Sequence, residues 1–347
     1  MAAELAASGL PATHTRWIND WQHDFPVTSQ PYHALALATS AVADDVMAFY
    51  RQALDDGRIS RIGGVFAHGA GGDAMLVALA VPDERLEAVA LQVSSHASVN
   101  HNYEREAEFN LWFVVTGPDR AAVEAEIDSI ERESGLKAIR LPMVRPYCID
   151  LGFDLAADRH ASRMRPQRKS CDALLPSDFA LAALVEQGLP ICDCPFAHWA
   201  EWLGTEEREV IDRLRAWIRQ GQLKRFGVVV RHHELGFDAN AMTVFDVPDE
   251  MADELGARLA LQPGVTLAYR RMRHGQWHYN LYAMVHGRRR EDVVALIDLI
   301  TVRSGLKGFE RRVLFSRRRF KQTGGRRFAA AIPRAAQTEE MSDVVSG

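Results

Sequence analysis

The sequence predicts an α+β fold: a tandem repeat in which each copy joins a winged helix-turn-helix to a ferredoxin-like βαββαβ domain. Two observations carry this. First, the chain repeats once. Arg61-Ile62-Gly63-Gly64-Val65-Phe66 is echoed by Arg225-Phe226-Gly227-Val228-Val229-Val230. Phe109-Asn110-Leu111-Trp112 is echoed by Tyr279-Asn280-Leu281-Tyr282, and Ser134-Gly135-Leu136-Lys137 by Ser304-Gly305-Leu306-Lys307. Second, within each copy the apolar period changes from helical to mixed helix and strand, so two kinds of domain follow one another.

Taken in order, residues 16–62 show a first helix, a break at proline, a short helix and an amphipathic helix closed by Gly57. That is a helix-turn-helix pattern, ended by a short basic-apolar strand. Residues 63–150 form the first βαββαβ domain. It has strand 74–81, helix 83–95, strand 99–105, strand 108–116, helix 118–134 opened by Pro118-Asp119, and strand 137–145. Residues 151–173 read as a polar, basic linker. The helix-turn-helix pattern returns over 174–226, ending at Gly221, and the second βαββαβ domain spans 227–320. There the spacing predicts strand 240–247, helix 249–261, strand 265–271, strand 277–286, helix 288–304 and strand 307–316. Residues 321–347 carry no periodic pattern and are expected to be disordered.

Composition excludes several classes. The chain has 347 residues, 47% hydrophobic and 25% charged, with a net charge of −5. No apolar run approaches the roughly 20 residues that cross a bilayer. The first residues lack the basic start and apolar core of a secretory signal, so a cytoplasmic location with no membrane association is expected. Four cysteines are too few for a disulfide framework, and the Cys192-x-Cys194 pair has no second pair at zinc-like spacing. They read as reduced structural thiols. No phosphate loop, dinucleotide fingerprint or nucleophile elbow is present, so no organic cofactor is called for.

Charge also argues against DNA as a partner. Segment 40–59, where a recognition helix would lie, has four Asp against two Arg, and segment 204–223 balances four acids with four Arg. A negative or neutral helix gains nothing from releasing phosphate counterions. By contrast, residues 303–327 hold ten Lys or Arg and one acid, Glu310, so an anion is expected near the end of the second domain.

The motifs point further. The second copy contains Arg231-His232-His233-Glu234-Leu235-Gly236-Phe237-Asp238-Ala239-Asn240-Ala241-Met242. It also contains Trp277-His278-Tyr279-Asn280-Leu281-Tyr282-Ala283-Met284-Val285-His286-Gly287. The first copy has His101-Asn102-Tyr103-Glu104-Arg105-Glu106, then Phe109-Asn110-Leu111-Trp112-Phe113. These resemble the signatures of siroheme decarboxylase subunits, members of the leucine-responsive and asparagine-operon regulator family. The resemblance spans residues 16–320. It implies a fused two-subunit enzyme, a carboxy-lyase that removes two acetate carboxyls from siroheme to give didecarboxysiroheme in haem d1 or alternative haem synthesis. It implies iron that arrives within the substrate, an internal pseudo-dimer able to pair further as a homodimer, and other haem d1 biosynthesis proteins as partners. A regulator binding a small effector, or a haem carrier without chemistry, are the alternatives. Leu267 and Ala268 stand where related subunits place His and Cys, and His278 where they place Pro. One competent pocket, centred on His101, is therefore expected.

The chemistry selects candidates. A polycarboxylate macrocycle calls for arginines, whose planar fork binds carboxylate at two points. Arg105, Arg270, Arg271 and Arg273 lie on or beside the motif strands. Because side chains alternate along a strand, only one of Arg270 and Arg271 should reach a shared pocket. Protonating the carbon that loses carbon dioxide calls for histidine, with an unperturbed pKa near 6.5. His101, His278 and His286 are the candidates, with His101 also a candidate axial ligand to the substrate iron. His232 and His233 are adjacent and point apart, so they make no metal clamp. Tyr103, Trp112 and Tyr279 are either core aromatics, the commoner role on such strands, or stack on a macrocycle. Asn110 and Asn280, polar and equivalent in apolar strands, need either a turn contact or a substrate contact.

Overall fold

The computed structural model describes residues 11–149, 171–231 and 239–332. These divide into two compact units that do not follow the two halves of the chain. One unit comprises the stretch up to Gly72, the stretch ending at Arg231, and the segment from Arg326. The other runs from Asp73 through the first βαββαβ domain and resumes in the second, ending at Gly325. Each unit therefore takes one module from each copy.

The first unit pairs the two helix-turn-helix modules. They are α1 (Ala12–Asn19), α2 (Pro31–Thr39), α3 (Ala43–Asp55) and β1 (Ile59–Phe66), then α6 (Phe179–Gln187), α7 (Pro195–Leu203), α8 (Glu207–Gln220) and β6 (Leu223–Val230). Proline opens both α2 and α7, where its missing N–H costs nothing. Ser40 and Gly204 close these helices at φ 54° and 65°, the left-handed turn each module needs before its third helix. β1 and β6 pair antiparallel with Gly63 opposite Gly227. The glycines are needed for close approach: a Cβ on Gly63 would sit 2.7 Å from the Val185 carbonyl oxygen, and one on Gly227 2.4 Å from that of Gln22. β1 thus packs on α6 of the other copy, and β6 on the Trp21–Gln22 turn that follows α1. Both strands cross the predicted domain limits at 62/63 and 226/227, so those limits are corrected outward to 72 and 231: the strand is held by its partner strand, a contact remote in sequence.

The second unit is a closed eight-stranded barrel. Its first half is β2 (Asp73–Leu79), α4 (Leu86–Ser95), β3 (Val99–Arg105), β4 (Leu111–Gly117), α5 (Arg120–Ser134) and β5 (Ala138–Ile149). Its second is β7 (Ala239–Phe245), α9 (Asp249–Ala260), β8 (Val265–Arg271), β9 (Leu281–Gly287), α10 (Arg290–Arg303) and β10 (Arg311–Gln322). The order around the barrel is β10-β3-β4-β2-β5-β8-β9-β7, closing on β10. Each half alone has the ferredoxin-like order, and β5·β8 and β10·β3 are the seams that join them.

Packing on both sides explains the continuous apolar strands. Met75, Val77 and Leu79 of β2 face a core under α4 and α5, as Ala241 and Phe245 of β7 do under α9 and α10. The alternate residues Leu76, Ala78, Met242 and Val244 enter a third cluster, filled from both halves, inside the barrel. Asp119 caps α5 by accepting from Ala122 N at 2.8 Å.

The expected strands at 108–116, 277–286 and 307–316 begin later, at Leu111, Leu281 and Arg311. Residues 106–110 and 272–280 form the connections instead. The predicted disordered tail is corrected in its first part. β10 runs to Gln322, and Phe328, 3% exposed, packs on Phe66 and Phe179 in the first unit. The remainder of the tail and nearly all of the linker lie outside the described residues, as do His232 and His233.

Candidate active site

Alternation along each strand sorts the candidate residues. On β3, Asn102 turns outward, its amide donating to the Ala90 carbonyl of α4 at 2.9 Å. Glu104 also faces out, paired with Arg318. His101, Tyr103 and Arg105 therefore face the barrel interior. The His101 and Tyr103 rings stack at 6.3 Å, and the Arg105 guanidinium lies 5.5 Å from the Tyr103 ring centre. On β9, Tyr282 and Met284 belong to the interior cluster, so His286 points the same way. His286 is 6% exposed, with Nδ1 3.1 Å from Thr266 Oγ1.

The two basic residues on β8 divide as alternation requires. Arg271 is inside, 4.6 Å from the Tyr269 ring centre and 5.9 Å from that of Tyr282, with Nη1 donating to the Leu141 carbonyl at 2.7 Å. Arg270 is outside, paired with Asp249 at 3.0 Å and Asp253 at 3.6 Å on α9.

The interior cations are unusual in their surroundings. Arg105 is 6% exposed and donates from Nη1 to the Leu314 carbonyl at 3.1 Å and to Asn240 Oδ1 at 3.4 Å. Burial pulls its pKa down to about 10, opposed by the Tyr103 and Tyr269 hydroxyls. Arg271 is also 6% exposed, and its Nε has no hydrogen-bond partner. Among the described residues neither guanidinium has a carboxylate partner. Burial of unpaired charge costs several kcal/mol, and a bound anion is the simplest compensation. Tyr103, raised in pKa by burial, keeps its proton at neutral pH.

Four interior residues escaped the sequence reading. Asn240 faces His286 across β7 and β9 and accepts from Ser316 Oγ at 3.4 Å as well as from Arg105. Thr266 orients His286. Arg319 stands opposite Tyr103, and its Nη1 reaches Gln322 Oε1 at 3.2 Å. Asn240 lies within the Arg231–Met242 motif and Arg319 within the basic run, but nothing local shows which way either faces.

Several predicted residues are placed elsewhere. Asn110 and Asn280 are turn clips: Asn110 accepts from Val81 N at 2.9 Å and donates to its carbonyl at 2.8 Å. Asn280 does the same to Val247 at 3.1 and 2.9 Å. Their amides are occupied, which removes both from substrate binding. Arg273 is held outside by Asp246 and Asp249. His278 lies in the 272–280 connection, half exposed, with Nε2 3.1 Å from Glu310. It is removed from the interior set for that reason. Trp112 and Tyr279 are core: with Phe109, Trp277 and Tyr282 they close an aromatic floor, Trp112 and Trp277 meeting at 5.2 Å. The Tyr279 hydroxyl donates to Glu310 at 2.5 Å, and burial with that bond raises its pKa to about 12.

Most of the basic run at the end of the chain faces outward, where Arg311 meets Asp298, and Arg317 and Arg318 meet Glu104. A cavity of about 670 Å³ in the other unit is lined by Asp178, Glu206, Glu209, Asp212 and Arg213 and holds none of the predicted residues. Among the described residues no cluster could hold a metal ion, and no helix is long and apolar enough to cross a membrane.

Comparison with known proteins follows this geometry. A family profile for the AsnC-like ligand binding domain matches residues 70–147 and 234–321, and one for the siroheme decarboxylase NirDL-like helix-turn-helix domain matches residues 178–223. The chain is 38% identical over 312 residues to the siroheme decarboxylase NirDL subunit of Paracoccus pantotrophus, covering 89% of this chain and 95% of that one. The separate NirD subunit of Stutzerimonas stutzeri matches at 46% identity over 42% of the chain, as expected if the chain fuses two such subunits. A crystal structure of the siroheme decarboxylase NirDL aligns with TM-score 0.65 at 25% identity, over 96% of this chain and 100% of the other. A second, in complex with an iron-uroporphyrin III analogue, aligns with TM-score 0.63 at 26% identity, over 96% and 98%. With its duplicated halves, its two domain types and a full-length relative well above 30% identity, the chain belongs to the siroheme decarboxylase NirDL family.

Proposed function

We propose that this chain is a carboxy-lyase that removes carbon dioxide from two acetate arms of siroheme, inside the barrel. The observation that carries the reading is the pair of buried, carboxylate-free arginines, Arg105 and Arg271, in an interior that also presents His101 and His286. A macrocycle bearing carboxylates supplies the missing counter-charges, and guanidinium forks orient its arms. Each round breaks one C–C bond. The carboxylate leaves as carbon dioxide, its bonding electron pair stays on the arm carbon, and a proton completes a methyl group. No oxidant is consumed. The burial around Arg105 and Tyr103 keeps water from the reacting arm, and His101 or His286 is positioned to give the proton. The iron belongs to the substrate, and His101 is the candidate that would ligate it. No organic cofactor is required by this chemistry.

The helix-turn-helix unit is read as scaffold. Its two strands pair with each other, and α3 carries Asp44 and Asp45 in its first turn, so a duplex should not be retained. Anaerobic incubation with siroheme tests the whole reading. Stepwise loss of one and then two carbon dioxide masses is expected; bound but unchanged siroheme would make the protein a carrier, and retention of operator DNA would make it a regulator.

A further inference from the structure

The two seams of the barrel are copies of one another. On the β10·β3 seam Ser316 stands opposite Arg105, Arg319 opposite Tyr103 and Gln322 opposite His101. On the β5·β8 seam Met143 stands opposite Arg271, Pro146 opposite Tyr269 and Ile149 opposite Leu267, with the register shifts at the same two places. The clamp at the centre is preserved. Each arginine lies over the tyrosine two residues before it and donates from Nη1 across the seam, Arg105 to the Leu314 carbonyl and Arg271 to the Leu141 carbonyl. The surroundings are not preserved. His101, Arg319 and Ser316 are replaced by Leu267, Pro146 and Met143, and the Asn240–His286 pair by Ala74–Thr116. The barrel has two cation clamps and one set of proton-bearing groups.

We propose that Arg271 holds a carboxylate that is not lost, and so retains the half-reacted macrocycle while the seam at Arg105 acts on one acetate and then the next. This rests on the decarboxylase reading. Three facts support it. Arg271 is buried without a carboxylate partner among the described residues. Its Nη1 is engaged by Leu141, but Nε has no acceptor, leaving one edge of the fork for a carboxylate. Between Leu267 and Arg271 the paired residues of this seam include Tyr269, Met143 and Pro146 but no histidine, whereas His101 stands at the position of Leu267 on the other seam. Arg271 is thus a positioning and retention residue, and Arg105 the anchor of the reacting arm.

The test is single-turnover reaction with siroheme in the presence of excess iron uroporphyrin III, which occupies any barrel that has released its ligand. The wild type should yield mainly the doubly decarboxylated product. Arg271→Gln should raise KM about tenfold, equivalent to ~1.4 kcal/mol, and release the singly decarboxylated compound. The rate of the first loss at saturation should fall far less than in Arg105→Gln. Arg271→Lys, which keeps the charge but not the fork, should shift KM and the product ratio in the same direction by a smaller factor, and serves if the Gln variant does not fold. Unchanged KM and product ratio in the folded variants would overturn the proposal. So would a first-step loss matching that of Arg105→Gln, which would place Arg271 at the reacting arm. Should the wild type itself leave siroheme intact, the decarboxylase reading fails separately. Absorbance titration with iron uroporphyrin III then judges Arg271 alone, and equal affinity in wild type and Arg271→Gln would refute its role.

Discussion

At the scale of single residues, the site depends on which face of a strand each side chain occupies. His101 was selected from the sequence because imidazole is out of place as a packing group between polar neighbours, and it does face inward with Tyr103 and Arg105. His101→Ala should reduce turnover of siroheme at least about a hundredfold, with thermal unfolding unchanged; full activity would remove it from the mechanism. Glu186 offers a second, independent prediction. It is 9% exposed in the helix-turn-helix unit, accepts from Phe328 N at 3.1 Å, and faces Arg61 and Arg327. Burial raises its pKa to about 7 despite those cations. Its folded pKa lies above its unfolded one, so the folded state binds the extra proton. The stability from that proton is complete below about pH 4.3 and lost as pH rises to about 7, by at most about 4 kcal/mol. Glu186→Gln should flatten the stability profile over that window, read by thermal unfolding at pH 5 and pH 8. An unchanged slope would show that Glu186 is ionised at both.

At the scale of elements, the motif asparagines show how a repeated signature can be structural. Asn110 and Asn280 occupy equivalent positions because each staples the end of one strand to the start of the next connection. Asn280 is 1% exposed and also reaches Asp249 at 3.0 Å, while Asn110 is less buried. Asn280→Ala should therefore cost more stability than Asn110→Ala, roughly 2–3 against 1–2 kcal/mol, with KM for siroheme unaffected in both. Denaturant midpoints and initial rates separate the two effects. The strands themselves are legible: β3 and β8 begin and end where the spacing predicts, although each carries a register shift near its start. β4, β9 and β10 start later than expected. The residues before them continue the apolar pattern, but Phe109, Trp277 and Tyr279 serve the barrel floor from loops.

At the scale of the whole molecule, the two copies are interleaved rather than laid end to end. Each half of the barrel has two open edges, β3 and β5 in one and β8 and β10 in the other, and each edge is satisfied only by the other copy. Unpaired edges are templates for aggregation. If the chain is divided in the linker, each half expressed alone should aggregate or form like-with-like pairs. Co-expressed halves should co-purify and recover siroheme turnover, measured by size exclusion and product mass. Two halves that were each monomeric and soluble would contradict the closed barrel.

The sequence by itself determined the duplication, the order of elements in each copy, and the rule that only one of Arg270 and Arg271 could enter a shared space. All of these depend on neighbours a few residues apart, through strand alternation and helix periodicity. Only the tertiary structure decided that like modules pair across the copies, that Arg273 and His278 are held outside by acids, and that Asn240, Thr266, Ser316 and Arg319 join the histidines. The pairing of like modules depends on contacts between residues more than a hundred positions apart, and the placing of Arg273, His278 and Thr266 on partners in other elements of the same copy, where local pattern carries no information about the partner.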